Sequence, residues 1–188
     1  GHSNMSVHQI IKMGHPTLRL KAKAFTKKEI LSKETKKLIK DMFQTMKKVG
    51  GIGLAAPQIN ISKQLAIIEL PENGTRYPGA KASPIYVLFN PKIKILDKKL
   101  QGFWEGCLSV PGLRGYVERP RKIEVSYLDE FAKSQKIIVE DFLATVFQHE
   151  LDHLFGKLYV DKIKDMKLFA FEDEVIESPK KKKAKVLD

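Results

Sequence analysis

The stretch Asp141-Phe142-Leu143-Ala144-Thr145-Val146-Phe147-Gln148-His149-Glu150-Leu151-Asp152-His153-Leu154-Phe155-Gly156 decides how this chain must fold. Phe142, Leu143, Val146, Phe147, Leu151, Leu154 and Phe155 make a helix over 142–155 apolar nearly all round, with Asp141 as its cap and Gly156 as its stop. Such a helix belongs in the interior, with the other elements around it. Yet it carries His149, Glu150, Asp152 and His153 within two turns, and buried polar groups are costly without partners. Residues at i and i+4 project from one face a turn apart, so the His149 and His153 imidazoles can grip one ion. Glu150, beside the first, can reach a water on that ion. The bland alternative is a pair of core histidines bonded to backbone or carboxylates. So apolar a helix has little reason to carry them.

A catalytic metal site typically takes three protein ligands and keeps one position open. The source of the third ligand separates the possibilities. In metzincin proteases it is a histidine six residues after the second, but that position is Tyr159. In thermolysin-like proteases it is a glutamate on a later helix; Glu172, Glu174 and Glu177 are available, which makes this endopeptidase the runner-up. The third source is Cys107, upstream in Trp104-Glu105-Gly106-Cys107-Leu108-Ser109. A thiolate binds a borderline divalent metal strongly. A free cysteine is more often a small buried hydrophobe. The glycine before it and the serine soon after point instead to a tight, shaped backbone.

Around this helix the chain reads as α+β. Ser32 caps a helix reaching about Lys48, with Leu38, Ile39, Met42, Phe43 and Met46 at helical spacing and Gly50-Gly51 as its stop. A loop follows over 51–58, then short strands over 64–70, 85–90, 92–96, 122–128 and 135–139. Residues 71–84, rich in Pro, Gly, Asn and Ser, read as an exposed loop. A third helix is expected over 166–177. Strands cluster in the middle with helices at either end, which excludes an alternating βαβ order.

With 188 residues and 43% hydrophobic content, one domain is expected. We place it over 6–177, after a cloning remnant over 1–5 that ends at a native start, Met5. His2 is therefore not counted as a ligand. No apolar run is long enough to span a membrane, no secretory signal precedes the domain, and a lone cysteine fits a reducing compartment. The net charge of +12 suggests an acidic partner, and residues 178–188, with five lysines and one aspartate, carry +4 of it. That tail reads as disordered.

Three motifs now stand in order: Gly51-Ile52-Gly53-Leu54-Ala55-Ala56-Pro57-Gln58, Glu105-Gly106-Cys107-Leu108-Ser109 and Gln148-His149-Glu150-Leu151-Asp152-His153. Together they resemble the three signature motifs of peptide deformylases, over roughly residues 10–164. The resemblance implies antiparallel β-sheets around a central metal-binding helix, with a further helix at the C-terminus. It implies that Cys107, His149 and His153 hold one divalent metal, ferrous iron with nickel or zinc as substitutes. Glu150 is then the general acid/base, and the Gln58 amide and the Leu108 backbone N–H are donors to the oxyanion. Gly53 contacts the bound peptide, and Arg114 falls where the family often has a substrate-lining arginine. The chain departs from the shortest family members between Leu70 and Tyr86 and around 112–115.

The implied reaction is hydrolysis of the formyl group from formyl-methionyl polypeptides in the cytoplasm, with release of formate. A divalent metal lowers the pKa of bound water to about 7, and that water is the nucleophile. Ile52, Leu54 and a turn over 110–113 are expected to line an apolar slot for the methionine side chain. Glu105 and Arg119 are expected to form a structural ion pair, and Trp104 to serve packing. Arg114 reads as solvated unless the cleft lies beside it. The basic C-terminus fits ribosomal RNA; no DNA or membrane partner is expected. A non-enzymatic RNA-binding protein would explain the charge but not the buried histidines.

Overall fold

The computed structural model describes residues 6–70, 85–177 and 186–187. Helices Lys27–Ile30 (α1) and Lys33–Lys48 (α2) precede strands Gly53–Ala55 (β1) and Leu65–Ile68 (β2). A long hairpin follows, Tyr86–Cys107 (β3) and Val110–Leu128 (β4), then Ser134–Glu140 (β5) and helix Asp141–Asp152 (α3). Phe169–Phe171 (β6), Glu172–Glu177 (α4) and Val186–Leu187 (β7) complete the described elements.

Leu65-Ala66-Ile67-Ile68 has no polar residue to offer solvent, and the fold buries both of its faces. Ala66 and Ile68 join Val146, Phe147 and Leu151 of α3, and Leu154 just after it, in one core; Leu65 and Ile67 join Met42 and Met46 of α2 in another. The period of two along a strand thus serves two helices on opposite sides of a single sheet. Each fully buried Leu, Ile or Phe contributes about 1.5–3 kcal/mol, so these cores fix where α3 sits.

The sheet order is β1-β2-β3-β4-β5, with every neighbour antiparallel; β6 pairs antiparallel with β4, and β7 lies parallel to β3. The expected α+β class holds, and the strands join in one sheet. The strands expected over 85–90 and 92–96 are the start of a single strand that runs on to Cys107. Register shifts near Phe89/Lys92, Ile95/Asp97 and Asp97/Leu100 break its alternation, which hid its length in the sequence. The expected loop over 51–58 holds β1 and a 3-10 turn, Ala56–Ile59.

The first helix runs as read. Ser32 Oγ accepts from the Thr35 N–H at 3.2 Å, and at the other end the Gly50 and Gly51 N–H groups donate to Lys47 and Met46 carbonyls, with Gly50 at φ 70°. At α3 two expectations change. Asp141 is the first helical residue rather than the cap, at φ 59°, and its carboxylate accepts from Arg121 instead. The last turn, His153–Phe155, tightens to a 3-10 helix before Gly156 at φ 74°. The helix expected over 166–177 is also divided. Met166–Leu168 is a 3-10 turn, and residues 169–171 are drawn into the sheet by the free edge of β4 at 113–115, so only Glu172–Glu177 is α-helical.

The expected remnant over 1–5 and the expected loop over 71–84 lie outside the described residues, as does the expected disordered tail except for Val186–Leu187, which pair with Trp104 and Glu105. Among the described residues no helix is long and apolar enough to cross a membrane.

Gly156 carries a testable part of this fold. A Cβ there would lie 2.5 Å from the Arg19 carbonyl oxygen, in a segment tied to the same helix end by the Ala22 N–H to Leu154 carbonyl bond of 2.9 Å. Gly156→Ala is expected to cost about 2–3 kcal/mol, from positive φ and a backbone clash together. Thermal melting should fall by about 4–12 °C; an unchanged midpoint would contradict the contact.

Candidate metal centre

Cys107 ends β3, and Leu108 and Ser109 form the tight turn into β4. The hairpin thus presents the sulfur to α3, where His149 and His153 lie one turn apart. One ligand atom from each of these three residues lies within 4.8 Å of the others, and all three side chains are buried. Cys107 Sγ stands 3.5 Å from His153 Nε2. The His149 and His153 ring centroids are 5.5 Å apart with planes at 80°, so the rings converge rather than stack.

His149 is held from behind. Its Nδ1–H donates to Glu105 Oε1 at 2.8 Å, which leaves Nε2 to face Cys107 and His153. Glu105 in turn accepts from Arg119, through Nε at 2.7 Å and Nη2 at 3.0 Å, and Arg119 Nη1 donates to Asp152 at 2.9 Å. The expected Glu105–Arg119 pair is therefore present, and it reaches the centre through His149, a link the sequence reading missed. Tyr159, at the position of a metzincin histidine, instead stacks on the His149 ring at 5.9 Å and 22°.

Gln58 belongs to the 3-10 turn after β1. Its Oε1 accepts from the Ala55 N–H at 2.9 Å, which turns its amide N–H groups toward Ser109 Oγ at 3.2 Å and Cys107 Sγ at 3.5 Å. The Ser109 N–H also points at the sulfur, at 3.4 Å. A strap from the N-terminus crosses both motifs: the Ile11 N–H donates to the Gln58 carbonyl and the Met13 N–H to the Ser109 carbonyl.

Glu150 lies beside these groups, its Oε2 4.0 Å from His149 Nε2. Its Oε1 is buried with no hydrogen-bond partner among the described residues, as is His153 Nδ1. Burial pushes the Glu150 carboxyl from its ordinary 4.5 up to about 7, with the nearby Glu105 charge adding to the rise and His149 and Arg119 opposing it. Burial, with the charges of His149 and Arg119, drives His153 well below its ordinary value and so toward the neutral ligand form. For His149 burial acts in the same downward sense, but hydrogen bonds to Cys107 and Glu105 outweigh it and raise the group. Burial would also lift Glu105, yet the Arg119 charge and the bonds from His149 and Arg119 hold it low. A sulfur and two imidazoles, one braced by a carboxylate, are a donor set suited to zinc or ferrous iron. The residues fit a divalent ion.

Gly53 has a structural reason: a Cβ there would fall 2.7 Å from the Glu150 carboxyl carbon. Gly106 has another, since its Cβ would overlap the Arg114 guanidinium. Arg114 is buried, with Nη2 donating to Glu172 at 2.6 Å, and is not the solvated residue expected. Glu172 is thereby engaged away from the histidines. The slot expectation changes as well. Residues 110–113 are strand rather than turn, and Leu54 faces the α2 core, because β1 alternates and Ala55 takes the α3 side. Ile52 is buried in the α3 core.

The profile of the Polypeptide deformylase family matches residues 7–169. A peptide deformylase from Leptospira biflexa is 47% identical over 171 residues, 91% of this chain and 96% of that protein. Peptide deformylase 2 of Pseudomonas syringae pv. tomato is 45% identical, covering 89% of this chain and 93% of its own. Among solved structures, a peptide deformylase from Synechococcus elongatus in complex with actinonin aligns with TM-score 0.75 at 40% identity, over 85% of this chain and 80% of that one. The Met-Ala-Ser-bound class I type b peptide deformylase from Acinetobacter baumannii aligns with TM-score 0.80 at 36% identity, over 85% of this chain and 99% of that one.

The raised Glu150 carboxyl has a consequence for stability. Between pH 4.5 and about 7 the metal-free fold holds a proton on this group that the unfolded chain has released. Its contribution therefore weakens folding as pH rises through that window. Glu150→Gln removes the effect. Chelator-treated Glu150→Gln protein is expected to be more stable than chelator-treated wild type at pH 8, by about 1–3 kcal/mol, and equal to it at pH 4.5. Identical denaturation curves at pH 8 would show that the carboxyl is not raised.

Proposed function

The chain belongs to the polypeptide deformylase family, hydrolases that act on a formyl amide, and from that premise we propose that it removes the formyl group from formyl-methionyl nascent polypeptides. The observation that carries the reading is the convergence of Cys107, His149 and His153 beside a buried glutamate with one oxygen unpartnered among the described residues. These three residues hold a single divalent ion, ferrous iron in the native protein with zinc or nickel as substitutes. When bound, the ion supplies a Lewis acid and makes water acidic enough to act as a nucleophile near neutral pH.

The chain's own residues do the rest. Glu150 accepts the proton that water gives up as its oxygen adds to the formyl carbon. Glu150 then returns that proton to the amine nitrogen as the C–N bond breaks, so formate and a free N-terminus leave. The shift of Glu150 toward neutrality suits a group that must both take and give a proton. The Gln58 amide and the Leu108 backbone N–H donate to the formyl oxygen as negative charge builds on it. Gln58 is preset for this by the bond from Ala55 to its own carbonyl oxygen. β1 ends the sheet order, so an extended peptide can add to its edge alongside Ile52 and Gly53. Arg114, packed against Gly106 next to Cys107, is the further residue assigned to the substrate.

A thermolysin-like endopeptidase needs a downstream glutamate at the metal. Among the described residues the cluster able to hold one contains Cys107 instead, and Glu172 is paired with Arg114. Anaerobically purified protein is expected to carry a stoichiometric metal and to release formate from a formyl-Met peptide. Cys107→Ser should lose both, Glu174→Gln neither, and Gln58→Ala should keep the metal while kcat falls about 10²–10³-fold. Metal retained by Cys107→Ser and lost by Glu174→Gln would overturn the assignment.

The net charge of +12 supports cytoplasmic work at the ribosome, with the lysines of residues 178–188 on ribosomal RNA. Deleting residues 178–188 should weaken ribosome binding and flatten its salt dependence. Unchanged binding would reject that role for the tail.

A further inference from the structure

Behind the metal centre lies a cavity of about 390 Å³, which the chemistry above does not use. Gln148, Leu151, Asp152 and Phe155 line it, spaced as one stripe of the metal helix and its last turn, next to the stripe that bears the histidines. Ile93 and Ile95 of β3 form the facing wall. Ile93, Ile95 and Phe155 are exposed large apolar side chains brought together around one hollow, whereas scattered ones need no explanation. The charged groups at this hollow are Lys92, Lys162, Arg119 and Asp152, an excess of positive charge. Lys162 Nζ lies 3.6 Å from Asp152, and Arg119 is occupied by Glu105 and Asp152. Lys92 is exposed and makes no ion pair among the described residues.

We propose that this cavity binds a small amphipathic anion of the medium-chain acyl carboxylate class, its chain on Ile93, Ile95, Leu151 and Phe155 and its head at Lys92 and Lys162. The volume lies in the range of small-ligand sites. An apolar floor with a cationic rim matches a chain with an anionic end and rejects one with a cationic end. Occupancy reaches the metal centre by a short route. An anion that draws Lys162 away leaves Asp152 to Arg119, and Arg119 also holds the carboxylate that fixes His149. The binding itself stands on the cavity alone; only its effect at His149 rests on the proposed function.

The test uses the full chain, chelator-treated so that a carboxylate cannot be captured by metal, titrated calorimetrically with decanoate and with decyltrimethylammonium. Decanoate is expected to bind saturably and the ammonium not at all. Ile95→Glu, on an exposed side chain, should weaken decanoate about tenfold by adding a like charge to the apolar wall, with melting and formate release unchanged. In the wild type decanoate should shift the NMR signal of the His149 Nδ1 proton. Equal decanoate affinity in Ile95→Glu, binding of the ammonium, or light scattering showing that a second copy covers this face would each overturn the proposal. A wild type that takes up decanoate but releases no formate would fail the deformylase reading and leave this site intact.

Discussion

Glu105 has no exposure to solvent, and its negative charge constrains the rest of the centre. A carboxylate taken that far from water costs several kcal/mol unless it is paired and hydrogen-bonded throughout. Arg119 supplies two bonds and His149 a third. Glu105 lies on β3 and its partners on β4 and α3, and Arg119 continues to Asp152, so the pairing pins the hairpin to the helix. Removing one partner from such a set costs about 3–5 kcal/mol because it strands the other charge. The network holds geometry more than it adds net stability, since a well-packed apolar replacement is often as stable. What that apolar replacement would lose is an imidazole fixed in one tautomer and one direction.

Glu150 shows the opposite policy. It is buried like Glu105, yet one of its oxygens has no partner among the described residues and its carboxyl is lifted rather than held down. Two glutamates in one interior thus sit at different protonation levels, one made permanently anionic by a guanidinium and the other left near its balance point. Gly53 permits this by bringing backbone against the carboxyl where any side chain would collide. The fold accepts a polar group in a poor environment at the place where the proposed reaction moves a proton.

The central helix, its two histidines and the α+β class were legible because a helix apolar nearly all round leaves few positions for polar residues. The first helix was legible from Ser32 and Gly50-Gly51, which carry their own hydrogen-bonding logic. The length of β3 was not, since its bulges reset the alternation on which strand reading depends. Nor was β6, because Phe169-Ala170-Phe171 falls inside the helix expected over 166–177 and becomes strand only through the edge of β4. At the site, Cys107 was singled out by its neighbours, but the bond from His149 to Glu105 was missed. A signal existed: Glu105 and Cys107 are two apart, the spacing that puts strand residues on one face. Arg114 was misjudged because nothing in its local sequence shows that Glu172 will arrive to pair with it.

The sulfur and the second imidazole of the centre are 46 positions apart along the chain, and the amide of Gln58 precedes the sulfur by a further 49. During synthesis from the N-terminus, a nascent copy therefore displays its thiol well before either imidazole has left the ribosome. Through that interval the sulfur has no histidine beside it and is open to oxidation or to capture by whatever soft cation is nearby. Metal loading in the final geometry must wait until α3 has docked, which makes it a late step in maturation. The hydrophobic grip of β2 on that helix consequently has to build the pocket without help from the ion proposed to fill it.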